Sequence, residues 1–600
     1  MTVSDNQTVA AKPRTRTRAA APVSTSPEPA LAREGTAAGQ AGPRRTAVGE
    51  HDVGLDQLLA AAASGERRLI PGAEAVKLAA ALARRPRTVA RHAASLAANL
   101  GRVAIGVSEA APVRGDRRFS DPAWKNWLFR RVVQSYLTLA ATSRELVDEA
   151  GLDWATDQRL RILVDNIIDA LAPTNFPLTN PVALKTTIDK GGANFVTGAR
   201  AAVRDLSSPL RLPASVDRSA FVVGETLASS PGAVVRRDPM FELLQYEPRA
   251  PEVYQTPVLL IPPMISKYYV VDLSPGNSMM QYLGERGFQC FALSWRNVSK
   301  AQADWALEDY IAGIVEAIET VANVTGSEQV HLSGLCAGGI MSTCAAAHMA
   351  QIGRIDRLAS LNLNVTVLDL DRGSPVMAFV SPDAAKVAGT KVRKRGYLPG
   401  AELSRTFAWL RANDMIWNNL VNNYYLGNKP PALDLLAWNL DSMNMSAAAH
   451  ADMMRIGLEN PLPKKTLELL GTTIDLSKIT CDAYSVGAET DHLTPWPACY
   501  RSVRLLGGDT RFVLSTSGHV AAVVHPPGNP KSGYWIGDES IPDPDDWLAK
   551  ATPHKGTWWE DWTAWLAERS GAKKEPPAAM GNASYRPLGP APGEYVFQQS

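Results

Sequence analysis

Apolar and polar positions divide the chain into two regimes. From about Leu55 to Leu206 the apolar residues recur at helical spacing. Val76, Leu78, Ala79 and Leu82 fall on one face, as do Trp127, Leu128, Val132 and Val133. Asp121-Pro122 ahead of Trp124 predicts a helix start with Ser120 or Asp121 as cap, and Thr179-Asn180-Pro181 predicts another. Phe119 and Phe176 in this region read either as core or as a docking surface. Strand-like runs begin with Phe221-Val-Val-Gly224, Ala233-Val-Val235 and Glu242-Leu-Leu-Gln-Tyr246. Pro257-Val-Leu-Leu-Ile261 is continuously apolar, as a strand covered on both faces must be.

Strand and helix then alternate. Phe288 to Trp295 predicts a strand, Tyr310 to Val324 an amphipathic crossover helix, and Arg357 to Leu368 contains a further strand. Such alternation predicts a parallel sheet with helices on both sides. Between about Asp371 and Leu476 it breaks into a helical, aromatic segment carrying Phe407, Trp409, Trp417, Tyr424, Tyr425 and Trp438. An insertion at this point sits over the strand C-termini as a cap, although most of its aromatics are expected to form the cap's own core. Strands return at Ile479 to Val486 and Arg511 to Ser515. Trp558, Trp559, Trp562 and Trp565 match a packed helix face.

The densest chemistry lies in Gln329-Val-His-Leu-Ser-Gly-Leu-Cys-Ala-Gly-Gly-Ile340. A buried strand ending at Ser333 runs into the turn Gly334-Leu335-Cys336-Ala337-Gly338 and then a small-residue helix. This is the G-x-S-x-G nucleophile elbow with sulfur in place of oxygen. The five residues alone are weak, because a free cysteine is as readily a small core residue. Two later residues change the balance. Asp491 and His519 each follow a strand, and the order nucleophile, acid, histidine is that of the α/β-hydrolase fold. His492 is an alternative base or a pocket residue, Glu489 an alternative acid, and His331 in the elbow strand reads as structural. The oxyanion hole would use the N–H of Ala337 and one from the loop after Ile261. Pro262 and Pro263 carry no N–H, which leaves Met264 or Ile265. The chemistry indicated is acyl transfer through a covalent thioester, which favours a transferase over a hydrolase.

Composition narrows the setting. With 600 residues and 45% hydrophobic content, the chain is long enough for two domains and tails. A net charge of +2 points to no nucleic-acid partner. No apolar run reaches about 18 residues, so no transmembrane segment is expected. The five cysteines have no zinc-like spacing, so no metal is expected and a reducing cytoplasm is. Residues 1–52 read as a disordered basic tail, 53–215 as a helical N-terminal domain and 216–370 as the first part of the core. Residues 371–476 form the cap, 477–575 the second part of the core, and 576–600 a C-terminal tail.

Longer motifs go beyond a generic hydrolase. Phe176-Pro-Leu-Thr-Asn-Pro181, Gly191-Gly-Ala-Asn194, Pro262-Pro-Met-Ile-Ser-Lys-Tyr-Tyr269 and Ser294-Trp-Arg-Asn297 are among them. So are Gly334-Leu-Cys-Ala-Gly-Gly339, Val421 to Pro431, Asp491-His-Leu-Thr-Pro-Trp496 and Ser517-Gly-His519. Together they resemble the polyhydroxyalkanoate synthases, from about Asp116 to the C-terminal tail. The resemblance implies an (R)-3-hydroxyacyl-CoA substrate and no cofactor beyond the CoA it carries. Cys336 would hold the acyl unit, His519 act as base and Asp491 assist it. It further implies a homodimer at the surface of cytoplasmic polyester granules, phasin-type granule proteins as partners, and an N-terminal region used for dimer and granule contact. Asp272-Leu-Ser-Pro275 and His525 to Pro530 are similar to the medium-chain type, whereas Met264 and Ser266 depart from the family's usual Pro-Pro-Trp/Gln-Ile-Asn-Lys loop. The competing readings are an acyl-CoA thioesterase or esterase, and a granule protein without turnover.

Overall fold

The computed structural model describes residues 73–113, 116–370, 382–491 and 493–600. The tail expected over 1–52, the first part of the helical domain and the start of the cap lie outside the described residues. An eleven-stranded sheet organises the rest. Its strands are β1 (Gly232–Arg237), β2 (Phe241–Tyr246), β3 (Val258–Ile261), β4 (Cys290–Trp295), β5 (Val330–Leu335) and β6 (Leu358–Asn364). β7 (Asp482–Ala488), β8 (Thr510–Ser515), β9 (Gly533–Ile536), β10 (Thr552–Lys555) and β11 (Gly589–Pro590) complete it. The order across the sheet is β10-β9-β8-β7-β6-β5-β3-β4-β2-β1-β11. From β4 to β8 neighbours run parallel, and both flanks are antiparallel.

The chain leaves β3 in one direction for β4 and returns to its other side with β5. This reversal opens a crevice at the strand C-termini, where ligands bind in open α/β sheets. Ile261 pairs with Gly334, Leu335 with Asn364 and Ala488 with Ser515, so the segments that follow these strands leave the sheet at one edge. Apolar layers cover both faces. Ile314, Ile318 and Met341 pack on one side; on the other, Trp558, Trp559 and Trp562 of the helix Trp558–Ala567 pack with Tyr484 of β7.

Several expectations change. Phe221 to Gly224 makes only an isolated bridge from Val223 to Leu227, because its valines have no neighbouring strand. β9, β10 and β11 were not predicted. β10 is a fully exposed edge strand of Thr-Pro-His-Lys, and β11 is Gly-Pro, so neither carries apolar alternation. The stretch expected as a C-terminal tail is part of the fold. β11 pairs with β1, and Tyr595 and Val596 are buried.

Helices Ala73–Ala83, Pro86–Ile105, Trp127–Asp148, Trp154–Ala170, Pro181–Asp189 and Ala193–Leu206 precede the sheet. Asp121 caps a short 3-10 turn, and Asn126 caps the long helix after it by accepting from the Leu128 N–H. Asn180 caps the Pro181 helix as predicted. Phe119 is core, edge-on to Trp124 at 5.1 Å, whereas Phe176 is exposed. The inserted segment is helical over Pro382–Arg395, Gly400–Leu410, Asp434–Asn439 and Ala447–Glu459, with π-helical turns at Asn413–Trp417 and Val421–Tyr425.

Candidate active site

Cys336 alone connects β5 to the helix Ala337–Gln351. The predicted five-residue turn is therefore a single residue, with φ 51° and ψ −117°. A non-glycine residue there is strained by about 1–3 kcal/mol and persists only where its surroundings hold it. Here they do. The Cys336 N–H donates to the Asn364 carbonyl at 2.9 Å, and its carbonyl accepts from the Gly339 and Ile340 N–H groups. The flanking glycines are a matter of space. A Cβ on Gly334 would stand 2.6 Å from the Gly339 Cα, and one on Gly338 would strike the Ile261 carbonyl at the end of β3.

His519 opens a short helix four residues past β8, and Asp491 lies three residues past β7. His519 Nδ1 and Asp491 Oδ2 are 2.7 Å apart. That bond directs the other ring nitrogen away from the carboxylate, and Cys336 is close enough to the ring to help raise it. The structure thus brings together the three residues singled out in the sequence. Asp491 is buried, and its Oδ1 accepts from the Leu493 N–H at 2.8 Å and the Thr494 N–H at 3.0 Å. Burial would raise the Asp491 carboxyl, but His519 and the Thr494 bonds outweigh it and hold it below the usual range. Burial would likewise lower the imidazole, yet Asp491 and Cys336 hold His519 well above its ordinary value. A strengthened base beside a thiol suits it to take the thiol proton.

Thr494 was not singled out as a functional residue. Its hydroxyl is 2.6 Å from Asp491 Oδ2 and 3.1 Å from His519 Nδ1. The signal was present, because an Asp followed three residues later by Thr is a local turn pattern. The other cysteines are poor candidates. Burial pushes the thiols of Cys344 and Cys481 to about 12, and raises those of Cys290 and Cys499 as well. His331 bonds Ser360 and Ser570 within the core, and burial lowers it to about 3, as a structural residue should be. His492 lies outside the described residues. Met264 and Ala337 are both buried; Ala337 is the first residue of the elbow helix, and Met264 follows β3 beside it.

Residues 115–283 match the family described as Poly-beta-hydroxybutyrate polymerase (PhaC) N-terminus, and residues 257–526 match the alpha/beta hydrolase fold. The chain is 42% identical over 516 residues to poly(3-hydroxyalkanoate) polymerase 2 of Ectopseudomonas oleovorans, covering 86% of this chain and 92% of that protein. The chain belongs to the poly(3-hydroxyalkanoate) polymerase family. It is also 40% identical to poly(3-hydroxyalkanoate) polymerase 1 of the same organism, over 86% of this chain and 92% of that protein. Its identity to the poly(3-hydroxyalkanoate) polymerase subunit PhaC of Cupriavidus necator is 39%, over 82% of this chain and 85% of that protein.

The polymerase motifs quoted from the N-terminal region and the cap meet in space. Asn194 Nδ2 donates to the Tyr425 carbonyl at 2.7 Å, and the Tyr425 hydroxyl donates to the Asn175 carbonyl at 2.9 Å. The Tyr424 hydroxyl donates to Asp205 at 3.2 Å, and Asn423 Nδ2 to the Ala214 carbonyl at 2.7 Å. A few residues further on, Leu435, Leu436 and Leu440 flank the same buried cluster that Cys336 flanks. The cap therefore packs on the core on one side and on the N-terminal helices on the other.

Proposed function

We propose that this chain is a polyhydroxyalkanoate synthase, an acyltransferase that polymerises (R)-3-hydroxyacyl-CoA and releases CoA. The observation that carries the reading is a thiol at a strained elbow, beside an imidazole that a buried carboxylate orients, in a chain 42% identical to a named polymerase.

The chemistry follows from these groups. His519 takes the Cys336 proton as the sulfur attacks the thioester carbonyl carbon. The carbonyl oxygen becomes an oxyanion, for which the N–H groups of Ala337 and Met264 are the proposed donors. The C–S bond to CoA breaks, the imidazolium protonates the departing thiolate, and the acyl group rests on Cys336. One thioester has replaced another at little free-energy cost. The 3-hydroxyl of another unit then gives its proton to His519 and attacks the Cys336 thioester. An ester forms, and the sulfur leaves and recovers its proton. Asp491 stabilises the imidazolium in both halves.

The proposed setting is a homodimer at the surface of cytoplasmic polyester granules, with phasin-type proteins beside it. What supports it is where the exposed apolar side chains lie. Ile105, Trp127, Leu178 and Ile188 are all at least 66% exposed, and all belong to the N-terminal helical region. Among the described residues no helix is long and apolar enough to cross a membrane.

The test is incubation with (R)-3-hydroxybutyryl-CoA and (R)-3-hydroxydecanoyl-CoA. Polymer with free CoA is expected. Free hydroxy acid with CoA would mean a thioesterase, and no CoA release a protein without turnover.

A further inference from the structure

Lys267 is a buried charge that the proposed mechanism leaves unused. It is 2% exposed, and among the described residues no carboxylate lies within ion-pair distance of its ammonium. Nζ instead donates to two backbone carbonyls some 330 residues away, Gln598 at 2.6 Å and Tyr595 at 3.4 Å. Burial holds Lys267 below its ordinary lysine value, with Asp441 pulling the other way. A buried ammonium is costly unless its donors are met, so removing these carbonyls would leave it unsatisfied.

Both ends of this contact are anchored. The segment with the carbonyls is held from β2, where Glu242 Oε2 accepts from the Glu594 N–H at 2.8 Å and the Tyr595 N–H at 2.9 Å. The Tyr595 hydroxyl donates to the Asp238 carbonyl at 2.8 Å, and Gln598 Oε1 accepts from the Asn297 N–H at 3.0 Å. The other end is the loop Pro262 to Tyr269, which leaves β3 beside the elbow. Trp295 Nε1 donates to the Pro262 carbonyl at 2.9 Å and Trp438 Nε1 to the Lys267 carbonyl at 2.8 Å. The cap's Met443 N–H donates to the Ile265 carbonyl at 3.2 Å. Each of these fixes the loop through its backbone. Two side chains of the loop reach distant segments: the Tyr269 hydroxyl donates to Asp441 Oδ2 of the cap at 2.8 Å, and Lys267 grips the C-terminal segment.

We infer that Lys267 is a positioning residue for acyl transfer: clamped by the Gln598 and Tyr595 carbonyls, it fixes the loop that carries Met264 against the thiol's reaction partner. The inference rests on the proposed acyl-transfer reading and gives residues 594–598 a part in it. Displacing a positioned donor by about 1 Å costs on the order of 10–100-fold in rate. The elbow that carries the thiol is held through its backbone by Asn364, Gly339 and Ile340, and none of these belongs to the latch.

That separation supplies the experiment. Lys267→Met and a chain ending at Phe597 are each compared with the parent protein in two assays. One is first-turnover CoA release from (R)-3-hydroxybutyryl-CoA. The other is alkylation of Cys336 by iodoacetamide, followed by mass spectrometry, which needs no oxyanion donor. Both variants are expected to slow CoA release about tenfold or more and to leave alkylation within about twofold of the parent. Their combination is expected to cost no more than the larger single effect, since both break one contact. CoA release at the parent rate, or equal loss in both assays, overturns the inference. Should Lys267→Met fail to fold, the shortened chain carries the test. Cys336→Ala in parallel keeps the two readings apart: undiminished CoA release there defeats the acyl-transfer reading, whatever the latch variants do.

Discussion

Thr494 gives one hydroxyl to two partners, standing 2.6 Å from Asp491 Oδ2 and 3.1 Å from His519 Nδ1. It braces the carboxylate in the position from which it holds the ring. Thr494→Val keeps the shape and removes the bond. A hydrogen bond to a charged group contributes about 1.5–3 kcal/mol, so kcat/KM should fall roughly 10–100-fold. The Asp491 carboxyl also loses a group that holds it low, so the acid limb of the pH–rate profile should move to higher pH. Unchanged CoA release and an unmoved acid limb would remove Thr494 from the site.

The sulfur's assignment is tested by comparing two cysteines of one helix region. Cys336→Ala is expected to lower CoA release by at least about 10³-fold, the scale of losing a nucleophile. Cys344 is fully buried with its thiol pushed to about 12, so Cys344→Ala should keep most activity. Comparable loss in both, measured by thiol appearance, would place the chemistry on another sulfur.

The Asp491–His519 pair makes stability depend on pH with a defined sign. His519 is raised in the folded protein, so its contribution is complete below about pH 6.5 and fades as pH climbs through the folded value. Asp491 is lowered, so its contribution is present above about pH 3.9 and fades as pH drops through the folded value. Asp491→Asn should therefore lose most stability, about 1.5–3 kcal/mol, between pH 5 and 6.5. The deficit should shrink toward alkaline pH. Urea midpoints across this range test it, and a constant deficit would disprove the coupling.

Gly198 and Gly101 both lie inside N-terminal helices, yet they should respond oppositely to alanine. A Cβ on Gly198 would be driven into the Tyr424 carbonyl, whereas one on Gly101 meets nothing within 4 Å. Gly101→Ala should stabilise by about 0.5–1 kcal/mol through helix preference alone. Gly198→Ala should destabilise by about 1–3 kcal/mol, as overpacking does. It should also expose the link between residue 206 and β1 to protease. Equal melting temperatures for the two variants would count against a tight contact between helix and cap.

How much of this was legible depended on the kind of interaction. The elbow strand, the buried Pro257–Ile261 run and the order of Cys336, Asp491 and His519 show in the sequence because each is a local pattern. The alternating elements were also readable, with boundaries shifted by a few residues. Edge strands such as Thr552–Lys555 were not, because an exposed strand with one neighbour has no reason to alternate. Thr494 is marked only by its spacing to Asp491, a weak signal beside the triad residues. Lys267 was not readable at all: a lysine in a chain looks exposed until Tyr595 and Gln598 fold over it.

The bonds from Asn175, Asn194 and Asp205 to the Tyr424-Tyr425 pair have a mechanical consequence. They weld the N-terminal arm to the cap, so that the two act as one lever. Its outer end bears the apolar side chains Leu178 and Ile188, and its inner end leads on to Leu435 and Leu436, packed against the buried core. A push on the outside of the molecule is thereby carried into the cap.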